Sequence, residues 1–293
     1  MNNRIWVHAA LFIVALLYGA NYSIAKMAMP EHVGAFGFIA IRVFCATILF
    51  WVFHHFFSKE KIESKRDYLQ LLLCGLFGVA FNQLMFFKGL SLTTPINASI
   101  IMTVNPIAVV IAAFFLRQEK ITKNKVIGLA LGAVGAYLLI TKEGAGFNNR
   151  YFLGNSLVFL NACSYALYLV LVKKMMMKYQ SLTVVKWVFL FGGLIAFPIG
   201  IPDLFAIHWS QLPSIAWFSI VYVIIGTTFI AYLLNAWGLK FVNSSVVGIY
   251  IYLQPVLATL IAVLIQSDVL ELKDIIFSLL IMTGVYLVSK KQN

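Results

Sequence analysis

Long apolar runs separated by short polar breaks make up almost the whole of the 293-residue chain. A helix rises 1.5 Å per residue, so about 20 apolar residues cross a hydrocarbon core roughly 30 Å thick. Most of the runs have this length, and the breaks between them are tight. The pattern predicts ten membrane-spanning helices, at about residues 5–26, 34–57, 68–87, 94–116, 125–141, 152–172, 183–201, 214–236, 244–265 and 272–289.

Part of this pattern occurs twice. Residues 89–140 align without a gap with residues 238–289, and 10 of 52 positions are identical. Each copy has a proline in mid-span, Pro106 and Pro255, which follows an amide residue and precedes an acid by 13 positions. These shared offsets indicate an internal duplication. A mid-helix proline frees the carbonyl four residues earlier, which lipid does not tolerate, so both prolines predict helix kinks at a cavity near the membrane midplane.

The repeating unit comprises five spans. The first and sixth spans both contain tyrosine-rich segments, which end at Lys26 and Lys173, an offset of 147. The two copies are therefore expected at residues 1–143 and 150–291. Because five is an odd number, the second copy must cross the membrane in the opposite orientation, an arrangement typical of transporters with a substrate site between the repeats. The predicted fold is an all-α polytopic membrane protein with ten transmembrane helices in two inverted five-helix repeats.

Composition and charge agree with a membrane protein. The chain is 62% hydrophobic and 11% charged, with mean hydropathy +0.92, whereas soluble domains carry about 25% charged residues. Its net charge is +12, but no basic block is long enough for a nucleic-acid-binding arm, so the bilayer is the expected partner. Of the Lys and Arg residues, 15 fall on the side of the N-terminus and 5 on the other. The positive-inside rule then puts both termini in the cytoplasm of an inner-membrane protein.

Several motifs resemble the drug/metabolite transporter superfamily, in its EamA-type branch of ten-span proteins. They are YGANYSIAK at 18–26, IRVFCATILF at 41–50, an Asn-Pro followed by an acid at 105–119, SYALYLVLVKK at 164–174 and a Gln-Pro segment within 238–265. The chain departs from the family pattern at Tyr18, where Trp is usual, and at Asp268, where Glu is usual. The resemblance implies a secondary transporter that works by alternating access, often as an exporter of amino acids or other small metabolites.

Polar residues within the spans are the candidate binding residues, because polar groups in a membrane are costly and frequently functional. Arg42 could meet a substrate carboxylate, or it could snorkel and join two helices. The amides and tyrosines could line a shared cavity, or they could only link helices by hydrogen bonds. Asn82, Gln83, Tyr232 and Asn235 are further polar positions. The predicted substrate-binding residues are Tyr18, Asn21, Arg42, Asn97, Asn105, Tyr165, Tyr168, Tyr250 and Gln254.

Other functions remain open at this point, among them a nucleoside, sugar or drug permease of the same fold. All ten acids lie in loops or at span ends, which argues against a cation-drug antiporter with a buried carboxylate. An intramembrane enzyme would need clustered catalytic groups, and a sensor would need a signalling domain. The three cysteines are far apart in apolar runs and predict no metal site. We expect no enzyme activity, no cofactor, a small-molecule substrate, and a monomer or weak homodimer.

Overall fold

The computed structural model describes residues 3–93, 98, 101–118, 120–141, 152–257 and 272–289, and most of these residues are helical, with no strand among them. Contiguous helical segments join into ten helices within this part of the chain. They are α1 (Asn3–Lys26), α2 (Ala35–Phe57), α3 (Lys65–Leu92), α4 (Val104–Phe115), α5 (Lys123–Thr141), α6 (Phe152–Lys178), α7 (Ser181–Phe205), α8 (Ser214–Gly238), α9 (Ser244–Leu257) and α10 (Leu272–Ser289).

Six of these helices are long and apolar enough to cross a membrane, namely α1, α2, α3, α6, α7 and α8. Helices α4 and α9 are shorter apolar helices, and α9 ends directly before residues that the structure does not describe. The chain is therefore an all-helical polytopic membrane protein, as the sequence predicts. The number of ten crossings stays a prediction.

Each helix of the first half contacts particular helices of the second half. Helix α2 packs along α7, α5 along α10, and α4 against α9. Helix α3 packs on α6, and α8 packs on α1. The backbones approach closely at small residues: a Cβ on Gly200 of α7 would lie 2.3 Å from the carbonyl oxygen of Phe36, at the start of α2. The start of α2 is further held by Asp203 of α7, whose Oδ2 accepts from the backbone N–H groups of Phe36 and Gly37 at 3.1 and 3.2 Å.

Two helices contain π-helical segments, Leu76–Ala80 in α3 and Val223–Ile230 in α8. They begin 147 residues apart, the same offset that relates Lys26 to Lys173. A π turn holds more residues than an α turn, and such segments are frequent at functional sites. The insertion rotates all later side chains of the helix to a different face. The side chains of residues 81–92 in α3 and 231–238 in α8 therefore point to different faces of their helices than regular α-helical spacing predicts.

Candidate functional site

A cavity of about 70 Å³ lies in the interior of the bundle. At ~15 Å³ for each water position, it has room for roughly five waters or for part of a small organic molecule. Helices α1, α2 and α3 contribute side chains from the first half, and α6, α8 and α9 from the second half. The lining residues are Tyr18, Asn21, Tyr22, Arg42, Asn82, Gln83, Phe86, Phe87, Met102, Asn161, Tyr165, Tyr232, Ile251 and Gln254.

The repeated prolines lie beside this cavity. Pro106 and Pro255 are both buried; Pro106 lies in the first turn of α4, where backbone N–H groups have no partner within the helix, whereas Pro255 lies further along α9 and removes one backbone hydrogen bond. The residues four positions before the two prolines are Met102 and Ile251, and both line the cavity. The two matched positions of the duplication thus meet at one site.

Arg42 is the cationic group of the cavity and is only 5% exposed. Its Nε donates to Thr228 Oγ1 at 2.5 Å and its Nη2 to the carbonyl oxygen of Thr227 at 3.3 Å, both in the π-helical segment of α8. The guanidinium also lies 5.0 Å from the ring centroid of Phe87, a cation–π distance. No carboxylate of the described residues bonds to it. A guanidinium has five N–H donors, so Arg42 keeps donors for an anionic group.

Asn161 offers an acceptor to the same cavity. Its Nδ2 donates to the carbonyl oxygen of Asn82 at 2.8 Å. A carbonyl can only accept, so this bond fixes which end of the Asn161 amide carries the oxygen. Oδ1 of Asn161 is buried and has no hydrogen-bond partner among the described residues. A buried acceptor of this kind costs about 1–3 kcal/mol until a donor reaches it.

Gln83 and Asn21 provide two more acceptors. Tyr232 Oη donates its hydrogen to the carbonyl oxygen of Gly78 at 2.8 Å, so it can only accept from Gln83 Nε2, which lies 3.5 Å away. The Oε1 of Gln83 is therefore the oxygen without a partner within the described part of the chain. Asn21 Oδ1 is likewise buried and unpartnered there. Unsatisfied buried groups are rare in native proteins, and three of them line one cavity that also contains Arg42.

Tyrosines and an amide connect the two halves around the cavity. Tyr22 Oη of α1 donates to Gln254 Oε1 of α9 at 3.2 Å. Asn235 Nδ2 of α8 donates to Tyr165 Oη of α6 at 3.1 Å. Phe86 packs edge-on against Tyr22, with 5.8 Å between ring centroids. The lining is thus aromatic with a few fixed polar groups, which is the usual composition of a small-molecule site.

The structure brings five of the predicted substrate-binding residues into this cavity: Tyr18, Asn21, Arg42, Tyr165 and Gln254. A smaller cavity of about 10 Å³ shares Tyr18, Tyr165 and Gln254 and is also lined by Tyr250. The hydroxyl of Tyr250 lies 2.6 Å from His8 Nδ1.

Two further predicted residues lie outside the cavity lining, and a third is not described by the structure. Asn105 is fully buried and donates from Nδ2 to the carbonyl oxygen of Ala162 at 2.7 Å, and it is not among the lining residues. Tyr168 is buried against Tyr165 and Tyr232, beside the cavity rather than in its lining. Asn97 lies outside the described residues.

Sequence reasoning did not select the aromatic and amide face that α3 presents to the cavity. Asn82, Gln83 and Tyr232 are visible in the sequence as polar groups in apolar spans, and that polarity is the feature that could have identified them. Phe86 and Phe87 look like any other membrane aromatics. Their role as cavity lining depends on contacts between helices that are distant in sequence.

Apolar helices that enclose a polar, cationic cavity define a polytopic membrane protein of the solute-transporter class. The sequence pattern of the EamA-like transporter family matches the chain twice, over residues 5–141 and 152–290. The chain belongs to the EamA-like transporter family and is thus a transporter of the drug/metabolite superfamily.

Relatives in bacteria and archaea match over nearly their whole lengths. An uncharacterized transporter of Archaeoglobus fulgidus is 26% identical over 298 residues, which cover 100% of both chains. The uncharacterized transporter YyaM of Bacillus subtilis is 24% identical over 95% of this chain and 92% of its own. The uncharacterized inner membrane transporter YicL of Salmonella typhimurium is 24% identical over 95% of this chain and 93% of its own. A solved crystal structure shares the fold with a TM-score of 0.78 at 20% identity, and the match covers 96% of this chain and 95% of that one.

Proposed function

We propose that this protein is a secondary transporter that exports small zwitterionic metabolites such as amino acids across the inner membrane by alternating access. The observation that carries the proposal is a single cavity lined by Arg42 and by Asn21, Gln83 and Asn161, three amides whose side-chain oxygens have no partner among the described residues. The proposed direction of transport, out of the cell, is based on the resemblance of the chain to its family.

The two kinds of group match the two ends of a zwitterion. Arg42 supplies N–H donors and a positive charge for a carboxylate, a pairing that can be bidentate. An ammonium group has three N–H donors, and three amide residues of the lining have side-chain oxygens that lack a donor within the described part of the chain. The aromatic rings of Phe86, Phe87 and Tyr165 form apolar walls for a side chain. A solute with one carboxylate and one ammonium group would satisfy every one of these groups together.

Other solutes fit this lining less well. A lipophilic cation would meet Arg42 without a neutralising carboxylate, and a sugar or nucleoside would leave the buried charge of Arg42 uncompensated. Within the described residues, no group of three or more His, Cys, Asp or Glu side chains could hold a metal ion. The transport assay nevertheless includes a nucleoside and a sugar.

Alternating access is proposed to arise from two inverted five-helix halves, residues 1–143 and 150–291. The family pattern matches the chain once in each half. The pairs α2–α7, α4–α9 and α5–α10 each join a helix to its counterpart five helices later. The two π-helical segments also begin at corresponding positions. These features support a pseudo-two-fold axis through the cavity. In a transporter of this kind, the state open to one side of the membrane and the state open to the other side are related by that axis.

The transport assay uses the purified protein in proteoliposomes. We expect counterflow of a radiolabelled amino acid with a bulky side chain, and at least about tenfold weaker uptake of its methyl ester and of its N-acetyl derivative, since each loses one charged contact worth about 1.5–3 kcal/mol. A nucleoside and a hexose form the comparison panel. Equal uptake of the zwitterion and both derivatives, or uptake of the nucleoside or hexose alone, would contradict the proposal.

Membrane topology provides a second prediction, because the distribution of Lys and Arg puts both termini in the cytoplasm. Single cysteines replace Asn2, Asn148 or Gln292 in a variant in which the three native cysteines are serine. An impermeant thiol reagent added to intact cells should label position 148 and leave positions 2 and 292 unlabelled until the cells are permeabilised. Labelling of either terminal position in intact cells would reverse the predicted orientation.

A further inference from the structure

Two lysines at corresponding positions of the two halves make the same kind of contact. Lys26, the last residue of α1, donates from Nζ to the carbonyl oxygen of Thr93, directly after α3, at 3.0 Å. Lys173, near the end of α6, donates from Nζ to the carbonyl oxygen of Leu239, which directly follows α8, and to that of Val242, three residues further on, the latter at 2.6 Å. In each half, a lysine of the first helix therefore holds the C-terminal end of the third helix.

The chemistry of a helix end explains the contact. The last four carbonyls of a helix have no partner within the helix, and they form the negative end of its dipole. A lysine side chain can bond to them and is attracted by the dipole. The bond is charge-assisted. Its acceptor is a neutral backbone carbonyl, so no unpaired carboxylate remains when the bond breaks. Such a contact is strong enough to hold a helix end and weak enough to release it during a transport cycle.

The two contacts lie at opposite ends of the cavity. Gly238, the last residue of α8, lies against Leu11 of α1, because a Cβ on Gly238 would be 3.3 Å from Leu11 Cδ2. The Lys173 contact is therefore near the level of Leu11, and Lys26 is 15 residues further along α1, a rise of about 22 Å. Tyr18 and Asn21, which line the cavity, lie on α1 between these two levels.

Neighbouring contacts connect the end of α3 to the opposite half, and connect α6 to α9 within the second half. At the Lys26 end, Thr93 Oγ1 donates to Asn155 Oδ1 of α6 at 2.6 Å, so the end of α3 is held between α1 and α6. At the Lys173 end, Ser244 Oγ of α9 donates to the carbonyl oxygen of Leu169 in α6 at 3.0 Å. Release of either lysine would free one end of the bundle beside the cavity while the other end stays closed.

We propose that Lys26 and Lys173 are two latches, one on each membrane face, whose alternate release opens the cavity to one side at a time; this inference rests on the proposed transport function. Loss of one latch should favour the state open on that side and disfavour the state open on the other. Loss of both should leave neither side favoured.

The test measures access to the cavity and needs no solute. A single reporter cysteine replaces Met102 in the variant that lacks the native cysteines, and an impermeant thiol reagent is applied to right-side-out or inside-out vesicles. We expect Lys26→Gln to raise the labelling rate about tenfold from the face where Lys26 lies and to lower it from the other face, with the reverse pattern for Lys173→Gln, as for a shift between two states. Unchanged rates, or equal changes from both faces, would overturn the proposal.

The chain offers matched controls. Lys174→Gln removes the exposed neighbour of Lys173, and Lys88→Gln removes a lysine of α3 that lies over the Phe36 ring at 5.4 Å; neither should change access. Lys26→Arg should keep the wild-type rates.

If the Gln variants fold poorly, cysteines at Lys26 and Thr93 are bridged with a bifunctional thiol reagent, which should close that face alone. Closure of both faces or of neither would refute the latches, whereas failure of amino-acid counterflow with normal latch behaviour would refute only the proposed substrate.

Discussion

Arg42→Ala protein is expected to insert and fold but to transport carboxylate-bearing solutes with a KM raised about 10- to 150-fold, which corresponds to the loss of about 1.5–3 kcal/mol from hydrogen bonds to a charged group. Folding should survive because the π-helical segment of α8 has its own contacts: Thr228 Oγ1 also donates to the carbonyl oxygen of Val223 at 2.6 Å. Arg42→Lys should keep part of the affinity, because lysine keeps the charge but not the planar array of donors.

Lys186 is the matched control for this experiment. It is as deeply buried as Arg42, at 6% exposure, but it contacts His54 at 3.1 Å and the Trp51 ring at 4.5 Å and is not among the cavity-lining residues. Lys186→Ala should therefore leave the KM for the solute unchanged, whatever it does to stability. If Arg42→Ala protein is monodisperse and transports with a normal KM, Arg42 acts only as a link between α2 and α8.

The existence of a cavity inside the bundle could be predicted from local chemistry. A proline in the interior of a helix removes a backbone hydrogen bond, so two duplicated prolines in the middle of predicted spans mark Met102 and Ile251 without any knowledge of the fold. The cost of burying a charge in a membrane similarly marks Arg42. These inferences need only the sequence around one residue, and the structure places all three residues in the cavity lining.

The choice of helix face could not be predicted in the same way. Regular α-helical spacing puts residues three and four positions apart on one face, but the π-helical segment Leu76–Ala80 rotates the rest of α3, and Gln83 and Phe87, which follow it, line the cavity. Asn105 was selected because it precedes Pro106, yet its amide bonds to the Ala162 carbonyl oxygen of α6. That bond depends on how closely α4 packs on α6, a long-range contact that no local pattern encodes.

Asn161→Ala should be the second most damaging change, and its effect should depend on the amino group of the solute. The Asn161 oxygen is one of the three proposed partners of the ammonium group, so its loss should raise the KM for an amino acid about tenfold or more, from about 1.5 kcal/mol or more for a bond to a charged donor. The same variant should bind the corresponding solute without an amino group no worse than the wild type does.

Asn105→Ala separates this effect from a simple loss of stability. Asn105 and Asn161 are both buried amides that donate to a backbone carbonyl, at 2.7 and 2.8 Å, and both have a side-chain oxygen without a partner in the described structure. Removal of either should cost a similar amount of stability, which thermal unfolding in detergent would measure. Only Asn161 lines the cavity, so only Asn161→Ala should raise the KM. Equal KM changes in the two variants would mean that these amides serve to hold the helices together and that the ammonium group is bound elsewhere.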